Sequence, residues 1–279
     1  MKIGIVGLGL IGGSIGLDLR AKGFPVVGVS RQAHICQEAV RRGVVDSAGI
    51  DLKLLATTDL IFICTPIGAI VPTVKQLVSH LTIDTVLTDV GSVKTAVVEA
   101  IAPLWQNFVG GHPMAGRAES GLDAAEPNMF AGKAYILTPT DATPRATIEV
   151  VQRAIFALEA KYYQCRPEDH DSAVAWISHL PVFSSASLIS ACLQETDPKI
   201  LALAEAFASS GFRDTSRVGG GSPELGMMMA QYNQVALLRS LSVYRSQLDQ
   251  VIAEIEQANW TALEQRLQQT QVARPQFLS

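Results

Sequence analysis

The sequence predicts an α/β domain built on a parallel sheet, followed by an all-α domain. Three observations carry this. Short apolar, β-branched runs alternate with helical patterns from Ile3 to Gln164, as in strands joined by crossover helices. The first run breaks into Gly7, Gly9 and Gly12 just before an apolar helical pattern begins. From Pro167 onward few strand-like runs remain, and capping residues and prolines punctuate a series of helices.

The opening stretch reads as strand, tight turn and helix. Ile3, Ile5 and Val6 form the strand, and Leu10, Ile11, Ile15, Leu17 and Leu19 the helix. Between them lies G-x-G-x-x-G, placed where a Rossmann-type dinucleotide-binding fold puts it. Gly7 allows the turn, Gly9 lets the backbone approach a pyrophosphate, and Gly12 lets helix and strand pack closely. The helix start at Leu10 and Ile11 offers free N–H groups and a positive dipole end to phosphates. Phe24 to Val29 forms the second strand and runs straight into Ser30-Arg31. A site for NAD would carry an acid here for the ribose 2′-hydroxyl. A hydroxyl and a guanidinium instead suit a 2′-phosphate, so the expected cofactor is NADP.

A helix is expected over 32–42 and a strand over 58–66. Thr65-Pro66-Ile67 are expected to touch the nicotinamide half of the cofactor. A helix over 70–81, a strand over 85–90 and a helix through Ile101 follow. Phe108 to Gly111 is a short strand into His112-Pro113-Met114-Ala115-Gly116. Strand 134–139, helix 144–159 and strand 161–164 close a first domain over 1–165. The second domain, 166–279, is expected to hold a helix from Pro167 to about Leu193, broken at Pro181. A helix from Asp197-Pro198 to Ser210-Gly211, a long one from Ser222 to about Ala258 and a last one over 260–269 follow, then a loosely held tail from Ala273 to Ser279. Leu225 to Val243 is too apolar for a helix with one face in water. It predicts a bundle core and a subunit interface, hence a homodimer.

Composition narrows the class. The 279 residues are 48% hydrophobic and 17% charged, with net charge −4 and pI near 5.7. Nothing there draws nucleic acid or an anionic membrane. No apolar run approaches the length that spans a bilayer, and the N-terminus enters a strand without a signal-peptide pattern. Four scattered cysteines suit a reducing, cytoplasmic setting. No metal-ligand spacing is present.

Several side chains could carry chemistry. His112 follows a strand, precedes Pro113 and is surrounded by Gly110, Gly111 and Gly116. A histidine so placed can accept a proton at neutral pH, the alternative being a hydrogen-bonded structural histidine. Ser92 could bond the substrate oxygen or the His112 ring, or cap the next helix. Lys94 reads as a solvated side chain. His179, beside the Pro181 break, points into the cleft or is satisfied between domains. Arg217 or Arg213 could hold a carboxylate bidentately, and Arg213 could instead pair with Asp214. Both belong to a segment between helices. Glu119 could contact substrate or cap a turn. His34, His80 and His170 read as surface residues.

Gly7-Leu8-Gly9-Leu10-Ile11-Gly12-Gly13-Ser14, Asp89 to Lys94, Gly111 to Gly116, Ser178 to Pro181 and Phe212 to Arg217 together resemble the prephenate/arogenate dehydrogenase family of tyrosine biosynthesis. The resemblance spans residues 1 to about 250 and is most specific at His-Pro-Met-Ala-Gly. It implies NADP-dependent oxidative decarboxylation of a cyclohexadienol acid, without metal. It assigns His112 as the catalytic histidine, Ser92 as its partner, and His179 and Arg217 to the substrate. With neither a chorismate mutase segment nor a regulatory domain in evidence, a minimal monofunctional form is expected. Arogenate giving tyrosine is the expected reaction, with prephenate giving 4-hydroxyphenylpyruvate, or both, as alternatives. A dehydrogenase of β-hydroxyacids would need a helical-domain lysine, and Lys199 is the only lysine after Lys161. A binding protein without turnover would have no use for His112.

Overall fold

The computed structural model describes residues 1–117 and 119–278. The first domain's strands are β1 (Ile3–Val6), β2 (Val26–Val29), β3 (Ser47–Gly49), β4 (Leu60–Ile63), β5 (Val86–Asp89), β6 (Phe108–Pro113), β7 (Ala134–Thr138) and β8 (Lys161–Gln164). They form one sheet in the order β3-β2-β1-β4-β5-β6-β7-β8. The strands from β3 to β6 are parallel, whereas β7 runs antiparallel to β6 and β8 parallel to β7. β1, β2, β4 and β5 are buried along their whole length. Both faces are covered, which is why these strands read as unbroken apolar runs.

The covering helices are α1 (Leu10–Ala21), α2 (Ala33–Arg41), α3 (Ile67–Leu77), α4 (Thr95–Ile101) and α5 (Arg145–Ala157). One core, with Ile15, Leu19, Val151 and Ile155, lies between the sheet and α1 and α5. A second, with Ile70, Val74, Val97 and Val98, lies under α3 and α4. Two details depart from expectation. β3 was not expected, because Ser47-Ala48-Gly49 carries no β-branched residue; it exists by pairing with β2. α3 starts at Ile67, not 70, since Pro66 is the extended residue that launches it.

The second domain consists of α6 (Pro167–Val174), a π-helical turn (Ala175–His179), α7 (Leu180–Cys192), α8 (Pro198–Phe207), α9 (Ser210–Ser216), α10 (Pro223–Tyr232), α11 (Gln234–Glu256) and α12 (Trp260–Ala273). Pro181 does not break its helix as expected. The wider π turn just before it absorbs the missing N–H and the ring. The continuous helix Pro167–Cys192 is 26 residues long, with mean hydropathy 1.3 over its most apolar window. That corrects the expectation that no run approaches membrane-spanning length. The segment 211–217, expected between helices, is mostly α9. The long helix from Ser222 divides at Asn233, whose backbone leaves the helical region (φ −126°, ψ 37°). Residues 274–277 form a short 3₁₀ turn, and Ser279 of the expected loose tail lies outside the described residues.

The helical domain holds little core of its own. α8, α9 and α12 bury no residue, and α11 buries only Leu237 and Ser240. Phe207, Met227, Val235, Leu238, Ile252 and Trp260 are exposed, Val235 at 84%.

Candidate active site

The turn after β1 leaves its three glycines in different surroundings. Gly7 has φ +97°, and a Cβ there would meet the Cys64 carbonyl oxygen at 2.5 Å. A Cβ on Gly12 would lie 2.0 Å from the Gly7 carbonyl oxygen, whereas one on Gly9 would meet nothing within 4 Å. The open space therefore lies over Gly9, the N-cap residue of α1. No side chain caps this helix, and its first turn carries no acid. A cleft of about 540 Å³ begins there, lined by Gly7, Gly9, Ser30, Arg31, Thr65 and Pro66. An uncapped helix start beneath a glycine cradle fits the phosphates of a dinucleotide. Arg31 is exposed at the cleft. Leu10 and Ile11 open α1 and lean on the core, and Ile67 is buried in the second core.

Across the carboxyl edge of the sheet, β1, β4, β5 and β6 are successive neighbours. Thr65 follows β4, Ser92 follows β5, and His112 ends β6. Three strand spacings, about 14 Å, separate the glycine turn from His112. The Thr65 and Ser92 hydroxyls are buried and have no hydrogen-bond partner among the described residues. The His112 ring is 8% exposed. Its Nδ1 lies 2.8 Å from Nε2 of His170, whose Nδ1 lies 2.8 Å from Oδ1 of Asp171. Burial, with the His170 ring, the Lys94 ammonium and His179 nearby, holds the His112 pKa well below the usual histidine range. His112 is therefore a neutral imidazole at physiological pH.

His179 is fully buried, and burial pushes its pKa down to about 4. Its Nδ1 takes a 3.1 Å bond from Nδ2 of Asn233, which also donates to the Asp171 carbonyl at 2.8 Å. Its Nε2 is buried without a partner among the described residues. The break between α10 and α11 thus lets Asn233 bridge two turns of the α6–α7 helix.

Beneath His112, Lys94 is paired with Asp89, both completely buried. Lys94 Nζ also donates to the Gly111 carbonyl at 2.7 Å, and Asp89 accepts from the Gly91 and Gly111 amides. Burial lowers the Lys94 pKa against the pull of Asp89. The pair ties the β5–α4 loop to the strand carrying His112.

A model of the prephenate dehydrogenase nucleotide-binding domain matches residues 15–164, and one of the prephenate dehydrogenase dimerization domain matches 166–269. The chain belongs to the prephenate dehydrogenase family. Prephenate dehydrogenase from Bacillus subtilis is 30% identical over 260 residues, covering 91% of this chain and 70% of that one. The arogenate dehydrogenase structure from Synechocystis is 54% identical with TM-score 0.90, covering 99% of this chain and all of the other. The prephenate dehydrogenase structure from Aquifex aeolicus, in complex with hydroxyphenyl propionate and NAD+, is 26% identical with TM-score 0.93, covering 99% and 98%.

Within this prephenate dehydrogenase fold, the residues singled out in the sequence fall into two groups. Gly7, Gly9, Ser30, Arg31, Thr65 and Pro66 line one cleft, while His112 and His179 meet one buried polar cluster. Arg213 and Arg217 are exposed on or just after α9. Arg213 pairs with Asp214 at 3.3 Å, and among the described residues neither arginine bonds to the histidine cluster. Glu119 is exposed in a loop. Two expectations are corrected. Lys94 is not solvated: it neutralises Asp89, a charge the sheet cannot otherwise bury. His170 is not a surface residue: at 2% exposure it joins His112 to Asp171. His34 is exposed and His80 half-buried.

Asp171, like Asn233, is a site residue that sequence reading missed. Desolvation would raise its pKa, but bonds from His170, Thr95 and Lys94 outweigh that and lower it.

Proposed function

We propose that this chain oxidatively decarboxylates a cyclohexadienol acid, arogenate giving tyrosine, with NADP as oxidant. The observation that carries the reading is His112, a buried neutral base at a strand end, sharing one sheet edge with the glycine cradle. A bound nicotinamide accepts the hydride leaving ring C4. His112 takes the proton of the C4 hydroxyl, so that oxygen can become a carbonyl. Loss of the ring carboxylate as CO₂ returns an electron pair to the ring, and the carbonyl oxygen becomes the phenol, reprotonated from His112. The Ser92 hydroxyl orients the C4 oxygen, and the open Nε2 of His179 faces the substrate. His112→Asn should lower kcat about 10²- to 10⁴-fold while cofactor affinity, by fluorescence titration, stays within about threefold.

Arg217 is the proposed carboxylate holder. The Ser185 hydroxyl on α7 donates to the Thr215 carbonyl at 2.8 Å and accepts from the Gly219 amide at 2.9 Å. A Cβ on Gly219 would come within 2.4 Å of the Ala186 amide nitrogen. Arg217 is thereby held between two points pinned to α7, and Ser185 is six residues, about 9 Å of helix, beyond His179. Arg213 serves as a second cation near the same end.

NADP preference rests on Ser30-Arg31 at the cleft, where no carboxylate repels a 2′-phosphate. The arogenate assignment draws on the 54% identity to the Synechocystis arogenate dehydrogenase. Prephenate is the second reading, because the relatives from Bacillus subtilis and Lactococcus lactis, each 30% identical, are prephenate dehydrogenases. The exposed apolar faces of α10 and α11 favour a homodimer through the helical domain. Four free cysteines suit the cytoplasm. Incubation with NADP or NAD and each of arogenate and prephenate, following reduced nicotinamide by absorbance, tests the reading. Fastest turnover is expected with NADP and arogenate; no reduction with any combination would overturn it.

A further inference from the structure

We propose that His170 and Asp171 act as positioning residues, forming a relay that fixes which nitrogen of His112 is free to take the substrate proton. The proposal rests on His112 being the base of the reaction above.

Asp171 Oδ1 accepts the Lys94 backbone amide at 2.7 Å and Oδ2 accepts the Thr95 amide at 2.8 Å. Amides only donate, so Asp171 is an acceptor, the charged cap of α4. His170 Nδ1, 2.8 Å from Oδ1, must then carry a hydrogen. With that one hydrogen on the ring, the second nitrogen is bare, so Nε2 accepts. Only His112 Nδ1, 2.8 Å away, can supply that hydrogen. His112 Nε2 is left with its lone pair free. The ring centroids lie 5.0 Å apart, the separation that one 2.8 Å bond between ring nitrogens gives when it lies along both rings.

A second branch ends in the opposite polarity. Asn233 Nδ2 donates to the Asp171 carbonyl, which fixes the orientation of its amide. It therefore also donates to His179 Nδ1, leaving Nε2–H of His179 as a buried, unspent donor. From one aspartate the cluster thus presents an acceptor at His112 and a donor at His179. The ionisable groups around His112 are His170 and Asp171 from α6, His179 from the π turn, Lys94 from the α4 start and Asp89 from β5. When His112 takes a proton, the new charge lies one ring from Asp171, while Lys94 is already matched by Asp89.

The test reads protons directly. The chain has five histidines, few enough for two-bond ¹H–¹⁵N correlation of the full-length, ¹⁵N-histidine-labelled protein without substrate. His112 and His170 are both expected as Nδ1–H tautomers and His179 as Nε2–H. His170→Phe should release His112 to the Nε2–H form and lower kcat about 10²- to 10⁴-fold, with KM within about threefold. His170→Gln offers a carbonyl to His112 and an amide to Asp171, so it should recover the Nδ1–H tautomer and most of kcat. A merely structural role would move thermal stability in both variants without that split. An Nε2–H tautomer at His112 in the wild-type protein, or unchanged kcat in His170→Phe, overturns the relay. Expected tautomers without turnover on any substrate would uphold the relay and sink the proposed reaction.

Discussion

Lys94 and Asp89 show what one buried charge demands of its surroundings. Asp89 ends a strand with no exposed surface, and only a cation at the same depth makes that tolerable. Lys94→Met should cost about 3–5 kcal/mol in urea denaturation, because Asp89 would keep only its two amide donors. The double variant Lys94→Met/Asp89→Leu should lose less than Lys94→Met alone. Sequence reading placed Lys94 in solvent because Gly91-Ser92 looks like an exposed helix entrance. A signal was present, since a carboxylate within the apolar run Val86 to Val90 needs a partner, and Lys94 is the nearest cation. His170 was misjudged between Asp169 and Asp171, an acidic first turn that resembles a solvated helix start. His112 was legible, because a histidine between strand-end glycines and a proline has few structural uses. Arg31→Ala tests the cofactor reading: NADP affinity should fall at least about tenfold, the scale of one charge-assisted phosphate contact, and NAD affinity only slightly. Equal losses by fluorescence titration would remove Arg31 from the 2′-phosphate.

The helix formed by α6, the π turn and α7 joins the sheet to the helical domain and carries the buried His179. His179 is buried neutral, with its pKa near 4, whereas the unfolded chain protonates it near 6.5. Below 6.5 the unfolded state binds the extra proton, so stability falls as pH drops and levels off below about 4. His112, also held low, adds in the same direction. Melting temperature should therefore decline from pH 6.5 to 4, and His179→Gln should flatten that slope in calorimetry at matched ionic strength. Periodicity found the elements here but not their joints. Pro181 looked like a break because a missing N–H usually ends a helix, yet one π turn accommodated it. Asn233 was hidden in an apolar helical pattern because its role depends on Asp171 and His179, 62 and 54 residues away. Arg213 read as a loop residue for a related reason, since α9 is short and held chiefly by α7, whereas Arg217 does lie in the turn between α9 and α10.

At the scale of the molecule, the two halves are stabilised differently. The sheet, with its helices, has two continuous cores, and alternation of strand and helix made that plan readable, apart from the short β3. The antiparallel turn at β7 was not readable, since strand direction leaves no mark on composition. The helical half exposes Leu225, Met227, Val235, Leu238 and Val243, the same stretch whose apolarity predicted an interface. Sedimentation should give a dimer at micromolar concentration. Val235→Asp/Leu238→Asp should yield monomer or aggregate while the glycine cradle still binds nucleotide.

That uneven burial carries a consequence of mass action. If α8 to α12 are completed only by a second chain, the folded state is counted in pairs, and unfolding releases two molecules for each one lost. The melting temperature then rises with protein concentration, and recovery after denaturation contains a second-order phase that slows on dilution. Activity assayed at high dilution would fade with time through dissociation, and a saturating ligand that binds only the assembled form would hold it.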